Sequence, residues 1–408
     1  MNVVDSIRRD VSDRLGRRSS VTIRCVSVLC LVLAARPAWA QHDHSTMAVP
    51  STGWTWSGSA QFFLNGNLQE RKFRDFHQVE SQNWLMATGG RSLGRTRLML
   101  HGMFSAEPAT IRDLGSAQAF QTGETFDGIA LLDYQHPHDL FMALSARLDG
   151  PIGARTRWAF DAALVGEPAL GPTAFMHRPS AEANPTAPLG HHTLDSTHIT
   201  HGVVTAGVTH RALTVEASAF HGREPDEDRV DLELGALDSY AVRVSWRRAG
   251  WHVQASGGHI RQPDPTEFTD LTRYTASVDY TGQAVRALVA WGRNIEPSLG
   301  ATGTRADAWL GEATWTPSPR DLFYTRAELV EKDILTLGGY DPPGFVHPHV
   351  LSRIGALTMG YERRLAAGRA GHLGAGGDIT GYRVPRNLDD NYGQPWSAHV
   401  FLRYRFGR

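Results

Sequence analysis

From Trp54 to its end the chain alternates apolar and polar residues in segments joined by links that are alternately short and long. In 272–280, Tyr274, Ala276, Val278 and Tyr280 alternate with Arg273, Thr275, Ser277 and Asp279. In 251–257, Trp251, Val253 and Ala255 alternate with His252, Gln254 and Ser256. A period of two belongs to strands whose two faces meet different surroundings. Strands are expected near 54–64, 80–89, 95–104, 140–148, 156–166, 197–209, 212–222, 239–248, 251–260, 272–281, 283–293, 305–317, 321–332, 354–365, 372–383 and 397–406. The links after the even-numbered strands are short, as at His210-Arg211, Gly250 and Gly282. Those after odd-numbered strands are long, including 105–139, 167–196 and 333–353. A soluble sandwich also alternates, so the link lengths decide between the two architectures.

Short turns at one end and long loops at the other belong to a transmembrane barrel. The expected fold class is therefore all-β: a transmembrane antiparallel up-and-down β-barrel of about 16 strands (roughly 12–18), with short periplasmic turns and long extracellular loops. Closure follows because every backbone polar group within a bilayer must be paired. Trp54, Trp246, Trp291, Trp315 and Tyr404 end apolar faces, as interfacial aromatic girdles do. In the last strand Val400, Leu402, Tyr404 and Phe406 oppose His399, Arg403 and Arg405. This resembles the C-terminal assembly signal of outer-membrane proteins, except that Gly407 and Arg408 follow the final aromatic.

Residues 1–40 read as an export signal. Arg8, Arg9, Arg14, Arg17, Arg18 and Arg24 precede an apolar run from Cys25 to Ala35, and Ala38-Trp39-Ala40 supplies a cleavage site. That run is too short for a membrane-spanning helix. Its basic region is long, which leaves a start codon downstream of Met1 as an alternative. Residues 41–53 are then a short periplasmic segment and 54–408 the barrel, with no room for a plug or passenger domain. The chain's only cysteines, Cys25 and Cys30, leave with the signal. Disulfide scaffolds, thiolate metal sites and cysteine catalysis are thereby excluded. The signal also removes 7 arginines and 3 aspartates from totals of 41 basic and 42 acidic residues, leaving 34 against 39. That balance gives no reason to expect a nucleic-acid partner. The expected surroundings are outer-membrane lipids, lipopolysaccharide and the barrel-assembly machinery, while the oligomeric state is undetermined.

A barrel of this size encloses an aqueous channel. The expected inner face is polar and of mixed sign: Arg97, Arg147, Arg157, Asp161, Glu216, Arg243, Arg273, Asp279, Arg286, Glu312, Arg326, Glu328 and Arg403. Two readings stay open, a transverse field acting on a passing solute and simple pairing of buried charges across the lumen.

The long loops carry the unusual residues. The second holds Gln135-His136-Pro137-His138-Asp139. The third holds Gly166 to Gly171, then Phe175-Met176-His177-Arg178-Pro179-Ser180, then Gly190-His191-His192 and Asp195-Ser196-Thr197-His198, with His201 just beyond. The seventh holds His347-Pro348-His349. Neutral imidazole is the commonest protein ligand of zinc and copper, and His-x-His in an extended segment presents both rings on one side. Met176, together with Gln41-His42-Asp43-His44 and Met47, favours copper, because thioether is a soft ligand. The competing reading is structural, with prolines stiffening loops whose imidazoles bond to backbone. A hydrolase using Ser196, His198 and Asp195 is a third, although no nucleophile elbow is present. The acidic tract Glu224–Arg229 reads as a solvated loop tip, with calcium binding as its alternative.

In topology the mature chain resembles bacterial porin-like barrels. Gln135 to Leu140, Gly166 to Gly171, Met176 to Ser180 and Gly190 to His201 also resemble a set of proteobacterial outer-membrane proteins to which no activity is attached. The porin resemblance implies passive diffusion of small solutes, or assembly with a periplasmic partner. The expectation is a channel whose histidine-rich outer loops select a solute or bind copper or zinc. A lipid hydrolase and a non-transporting scaffold or adhesin are the alternatives.

Overall fold

The computed structural model describes residues 53–407, apart from 73, 112–113, 123, 127–128, 264–268, 298–303, 333–350 and 369–370. The export signal, Gln41 to Met47, and the loop bearing His347 and His349 lie outside these residues.

Sixteen strands close into one antiparallel barrel. In chain order, β1 is Thr55–Arg71, and β2 runs in two segments, Arg74–Glu80 and Asn83–Leu93. They are followed by β3 (Thr96–Phe104), β4 (Phe141–Pro151), β5 (Thr156–Gly166), β6 (Thr200–His210) and β7 (Leu213–Phe220). Next come β8 (Ser239–Arg248), β9 (Trp251–Ile260), β10 (Leu271–Thr281), β11 (Val285–Glu296) and β12 (Thr304–Trp315). The circuit ends with β13 (Asp321–Lys332), β14 (Ser352–Gly368), β15 (Gly371–Arg383) and β16 (Trp396–Phe406). The β1–β16 seam sets Leu64 opposite Leu402 and Glu70 opposite Trp396, so the sheet has no free edge.

The alternation read from the sequence becomes two faces. On β9 and β11, Val253 and Val289 stand 38% and 59% exposed on the outer wall, whereas Gln254 and Ser256 are buried inside. Trp54, Trp246, Trp315 and Tyr404 are exposed on the same outer surface. An apolar outer wall around a polar inner face is the arrangement a barrel has when it faces lipid.

One expected loop is absent. Residues 65–79 were expected to link two strands, but β1 and β2 continue as a paired ribbon, with Asn67 opposite Gln78 and Leu68 opposite His77. The period of two persists through Asn65, Asn67 and Gln69, whose polar side chains disguise it. All three are fully buried because the 105–140 link packs against them: Asn67 Nδ2 donates to Ala117 O at 2.7 Å, and Ala119 N donates to Gln69 Oε1 at 3.0 Å.

A second departure concerns the lumen, which is polar only in part. Leu288, Ala290, Ala308, Leu310, Val330, Ile354 and Ala356 project inward from β11–β14 and are buried. They meet Phe120 of the 105–140 link, Leu189 and Leu194 of the 167–199 link, and Leu388 and Tyr392 of the 384–395 link. Phe120 stacks on Tyr392 at 4.1 Å between ring centres. The long-loop end of the barrel thus contains an ordinary hydrophobic core, built by loops that fold inward.

The outer wall supplies a direct test. Val289→Arg places a cation in lipid and should destabilise the folded barrel by about 2–4 kcal/mol if near the bilayer midplane. Denaturant titration of tryptophan fluorescence in vesicles would measure it, and an unchanged midpoint would contradict a lipid-facing β11.

Candidate functional site

The link between β5 and β6 determines what the lumen can do. Residues 167–199 contain Pro168, Pro172, Pro179, Pro185 and Pro188. Proline lacks a backbone donor and fixes φ, so the segment builds no strand and only short helical turns at Phe175–His177, His191–Leu194 and Ser196–His198. Its backbone polar groups are instead bonded by lumen side chains. Ala169 N donates to Ser218 Oγ at 2.7 Å and Gly171 N to Ser256 Oγ at 2.9 Å. Ser180 O accepts from Thr314 Oγ1 at 2.7 Å, and Thr186 O from Arg326 at 2.9 Å. His192 O accepts from Arg273 at 2.5 Å and from Asn294 at 3.0 Å. Gly292 of β11 lets the loop lie this close, since a Cβ there would fall 2.5 Å from Thr193 O.

Charge completes the anchorage. The buried Arg178 reaches Asp195 at 2.6 Å and Glu312 of β12 at 2.9 Å, while Arg326 reaches Glu312 at 2.9 Å. Glu182 binds Arg286 at 2.6 Å and also Arg405, and its carbonyl accepts from Arg403. Glu328 accepts from Gly190 N at 3.2 Å. Arg403 also pairs with Glu362 at 2.6 Å. The remaining lumen charges pair along the wall, Arg97 and Arg157 with Asp149, Arg147 with Asp161, Arg243 with Glu216 and Asp279 with His252, and Arg243 also reaches Glu167 of the loop. Of the two readings of these charges, pairing is the one formed, and half of it is with a loop rather than across open water.

Among the described residues, three cavities lie against these loops. At the short-turn end lies a vestibule of about 1020 Å³, bounded by the 282–284 and 316–320 turns and lined also by Met176, His177, Arg178 and Glu182. A chamber of about 40 Å³ borders it across Gln61, Trp84 and Met176, which line both. His136 lines this chamber and also a third of about 20 Å³, whose other walls include Asp139, His191, His192, His198, Glu224 and Arg229. About 10–15 Å³ suffices for one water molecule, so the two smaller cavities have room for only one to a few waters.

The third cavity gathers the histidines from both loops. The His198 ring centre is 5.1 Å from that of His191 and 5.5 Å from that of His138, and His191 is 5.4 Å from His192. His138 Nδ1 bonds to Glu107 at 2.8 Å, His191 Nδ1 to Asp195 at 2.7 Å, and His198 Nδ1 to Asp195 O at 2.9 Å. Asp139 pairs with Arg229 at 3.2 Å and faces His201 at 3.6 Å. His201 Nδ1 is taken by Glu233 N, so His201 stands behind the cavity, not on it. Met176 and His177 lie elsewhere: Met176 packs against the Met86, Met103 and Met142 cluster, and His177 lies edge-on to Trp84. The 3₁₀ turn at Phe175–His177 turns them toward the vestibule, which separates the expected thioether from the imidazoles. Asp226, Asp231 and Glu233 bring their oxygens within 4.8 Å of one another on the loop after β7, where the two aspartates are exposed.

Sequence reasoning did not single out Glu107, Arg178 or Glu182. An acid beside Pro108 and an arginine before Pro179 carry no local mark of partners that lie far along the chain. The hydrolase arrangement is not formed either. Ser196 Oγ accepts from Arg273 at 3.1 Å, His198 Nδ1 is committed to Asp195 O, and His198 Nε2 has no partner.

Burial and pairing set the loop ionisations. Burial pushes Glu182 up, but Arg405, then Arg286 and Arg403, overcome it and hold the carboxyl at about 2. Burial raises Glu167 to about 7 and Asp139 to about 6, against Arg243 and Arg229 respectively. Burial lowers His198, with His191 and His138 adding to it, whereas Glu107 outweighs burial at His138 and raises it.

Two outcomes follow from the anchors. Arg178→Met leaves Asp195 and Glu312 buried without their cation, which should cost about 3–5 kcal/mol, read by denaturant midpoint. Glu182 has a folded value below its ordinary 4.5, so its contribution is present above 4.5 and is lost as pH falls through about 2. Glu182→Gln should therefore be destabilised at pH 7 and converge with the parent near pH 2. Parallel stability curves over that range would show that the latch contributes nothing.

No protein-family model matches the chain, and no curated protein sequence does. Solved structures do. An anion-selective porin from Comamonas acidovorans superposes with a TM-score of 0.57 at 9% identity, covering 87% of this chain and 100% of that one. OmpF of Salmonella typhi, solved with daunomycin, gives 0.53 at 9% identity, covering 88% and 100%. OmpT lacking loop L8, an outer-membrane protein of Vibrio cholerae, gives 0.50 at 11% identity, covering 86% and 99%. At these identities the likeness is one of architecture, and in architecture the chain is a closed 16-stranded porin-like barrel.

Proposed function

We propose that the protein is a passive outer-membrane channel for small solutes with a preference for anions. The observation carrying this reading is the charge of the vestibule. Its lining includes Arg178, Arg286, Arg320, Arg364, Arg403 and Arg405 against only Glu182, Asp321 and Glu362. Fixed cations at the wide end of a low-dielectric passage raise the local concentration of anions. The Comamonas barrel, which is anion-selective by its description, supports the same direction. The narrow cavities above the vestibule limit passage to small solutes, or to those admitted when the 167–199 loop shifts. The charges tied up as loop anchors contribute rigidity more than field. Outer-membrane lipids and lipopolysaccharide would meet the aromatic outer wall, and the barrel-assembly machinery would insert it.

A second reading, a non-transporting scaffold, draws on the hydrophobic core that loops build inside the mouth. Planar-bilayer recording in a potassium chloride gradient separates the two. The channel reading expects small stable steps and a reversal potential favouring chloride. Replacing 172–189 with a short glycine-serine link should raise conductance severalfold. Silence from both proteins, each still a heat-modifiable folded barrel, would leave the scaffold.

A further inference from the structure

We propose that His198, His191 and His138 bind one imidazole-seeking divalent transition ion, Zn²⁺ or Cu²⁺, which clamps the 105–140 loop to the 167–199 loop. A metal needs an imidazole nitrogen with its lone pair free, and a histidine is prepared for this when its other nitrogen donates to an oxygen. All three rings have that preparation. A backbone carbonyl only accepts, so His198 Nδ1 must donate to Asp195 O, and the lone pair is left on Nε2. That Nε2 is buried, has no hydrogen-bond partner, and belongs to a ring lining the 20 Å³ cavity. The carboxylates of Asp195 and Glu107 orient His191 and His138 in the same way. The two carboxylate–histidine pairs and the carbonyl–histidine pair come from different loops, which packing alone would not require.

The ring spacing about His198 agrees with one ion, which His138 would reach from the adjoining 40 Å³ chamber that it lines. Two imidazoles bound tetrahedrally at about 2.0–2.1 Å place their ring centres roughly 5 Å apart, and the separations about His198 are 5.1 and 5.5 Å. Among the described residues no three of these ring nitrogens lie within 4.8 Å of one another. Binding therefore turns the rings toward the cavity and draws the loops together. His136, His192 and Asp139 line the same cavity and supply a fourth position. No sulfur lines it, since Met176 is packed away with other methionines. Nitrogen with oxygen, without thioether, selects the divalent ions over copper(I). Because the ion bridges two loops that narrow the lumen, its consequence rests on the channel reading: conductance falls when metal is added on the loop side.

The test is a competition titration of the folded mature protein with a chromophoric chelator, using ZnCl₂, CuCl₂ and, as a control, MgCl₂. One zinc or copper ion per barrel is expected, with no magnesium binding. His198→Ala should weaken affinity more than tenfold. Glu107→Gln, which keeps the ring but loses its orienting charge, should weaken it by about 10–100-fold. Absence of zinc and copper binding by the parent protein at 100-fold molar excess of metal would overturn the site, whatever the variants do. So would unchanged affinity in a folded His138→Ala, His191→Ala, His198→Ala triple variant, which would assign binding to other histidines. Binding without any conductance in planar bilayers would end the channel reading and leave the site standing.

Discussion

The structure depends on the cost of leaving a peptide group without a hydrogen bond away from bulk water. At the wall, that cost forces the sheet to close, and the β1–β16 seam is the consequence. Inside the wall, the same cost governs a loop with no ladder of its own. The 167–199 link enters the lumen only because Ser218, Ser256, Arg273, Asn294, Thr314 and Arg326 bond its amides and carbonyls. The lumen side chains therefore replace water for the loop as much as they line a passage.

Electrostatics then fixes where the loop sits. Breaking one partner of a buried ion pair costs more than the pair contributes to stability. The network joining Arg178, Asp195, Glu312 and Arg326 therefore specifies position more than it adds stability. Glu182 does the same at the vestibule, where Arg286 and Arg405 hold it. With the loop pinned along its length and its Thr193 packed on Gly292, two small chambers lie beyond the vestibule. Histidines from two loops share the upper chamber because Asp195 serves both an arginine anchor and the imidazoles beside it.

Much of the architecture was legible along the chain. Strand number, the outer apolar face and the short turns all follow from a period of two interrupted by short links. The ribbon at 65–79 was missed because its inward residues, Asn65, Asn67 and Gln69, look like loop composition. The internal core carried a weak signal: Leu288-Val289-Ala290-Trp291 and Ala308-Trp309-Leu310 are unbroken apolar runs, as a strand buried on both faces would have. The histidine cluster was legible as residues but not as a set. His136, Asp139, His191, His192 and His198 meet at one cavity, with the His138 ring 5.5 Å from that of His198, while Met176 and His177 turn away.

The sequence by itself determined that the chain is a barrel, which face meets lipid, and which end bears the long loops. These properties are periodic and local, and the bilayer allows strands no other closed arrangement. Tertiary structure alone decided that loops fold into the lumen, that the Arg178 and Glu182 networks hold them there, and that histidines from separate loops share a cavity. Those outcomes depend on contacts between residues such as Arg178 and Glu312, or His138 and His198, far apart in the chain. Only closure of the barrel brings their side chains into one small volume.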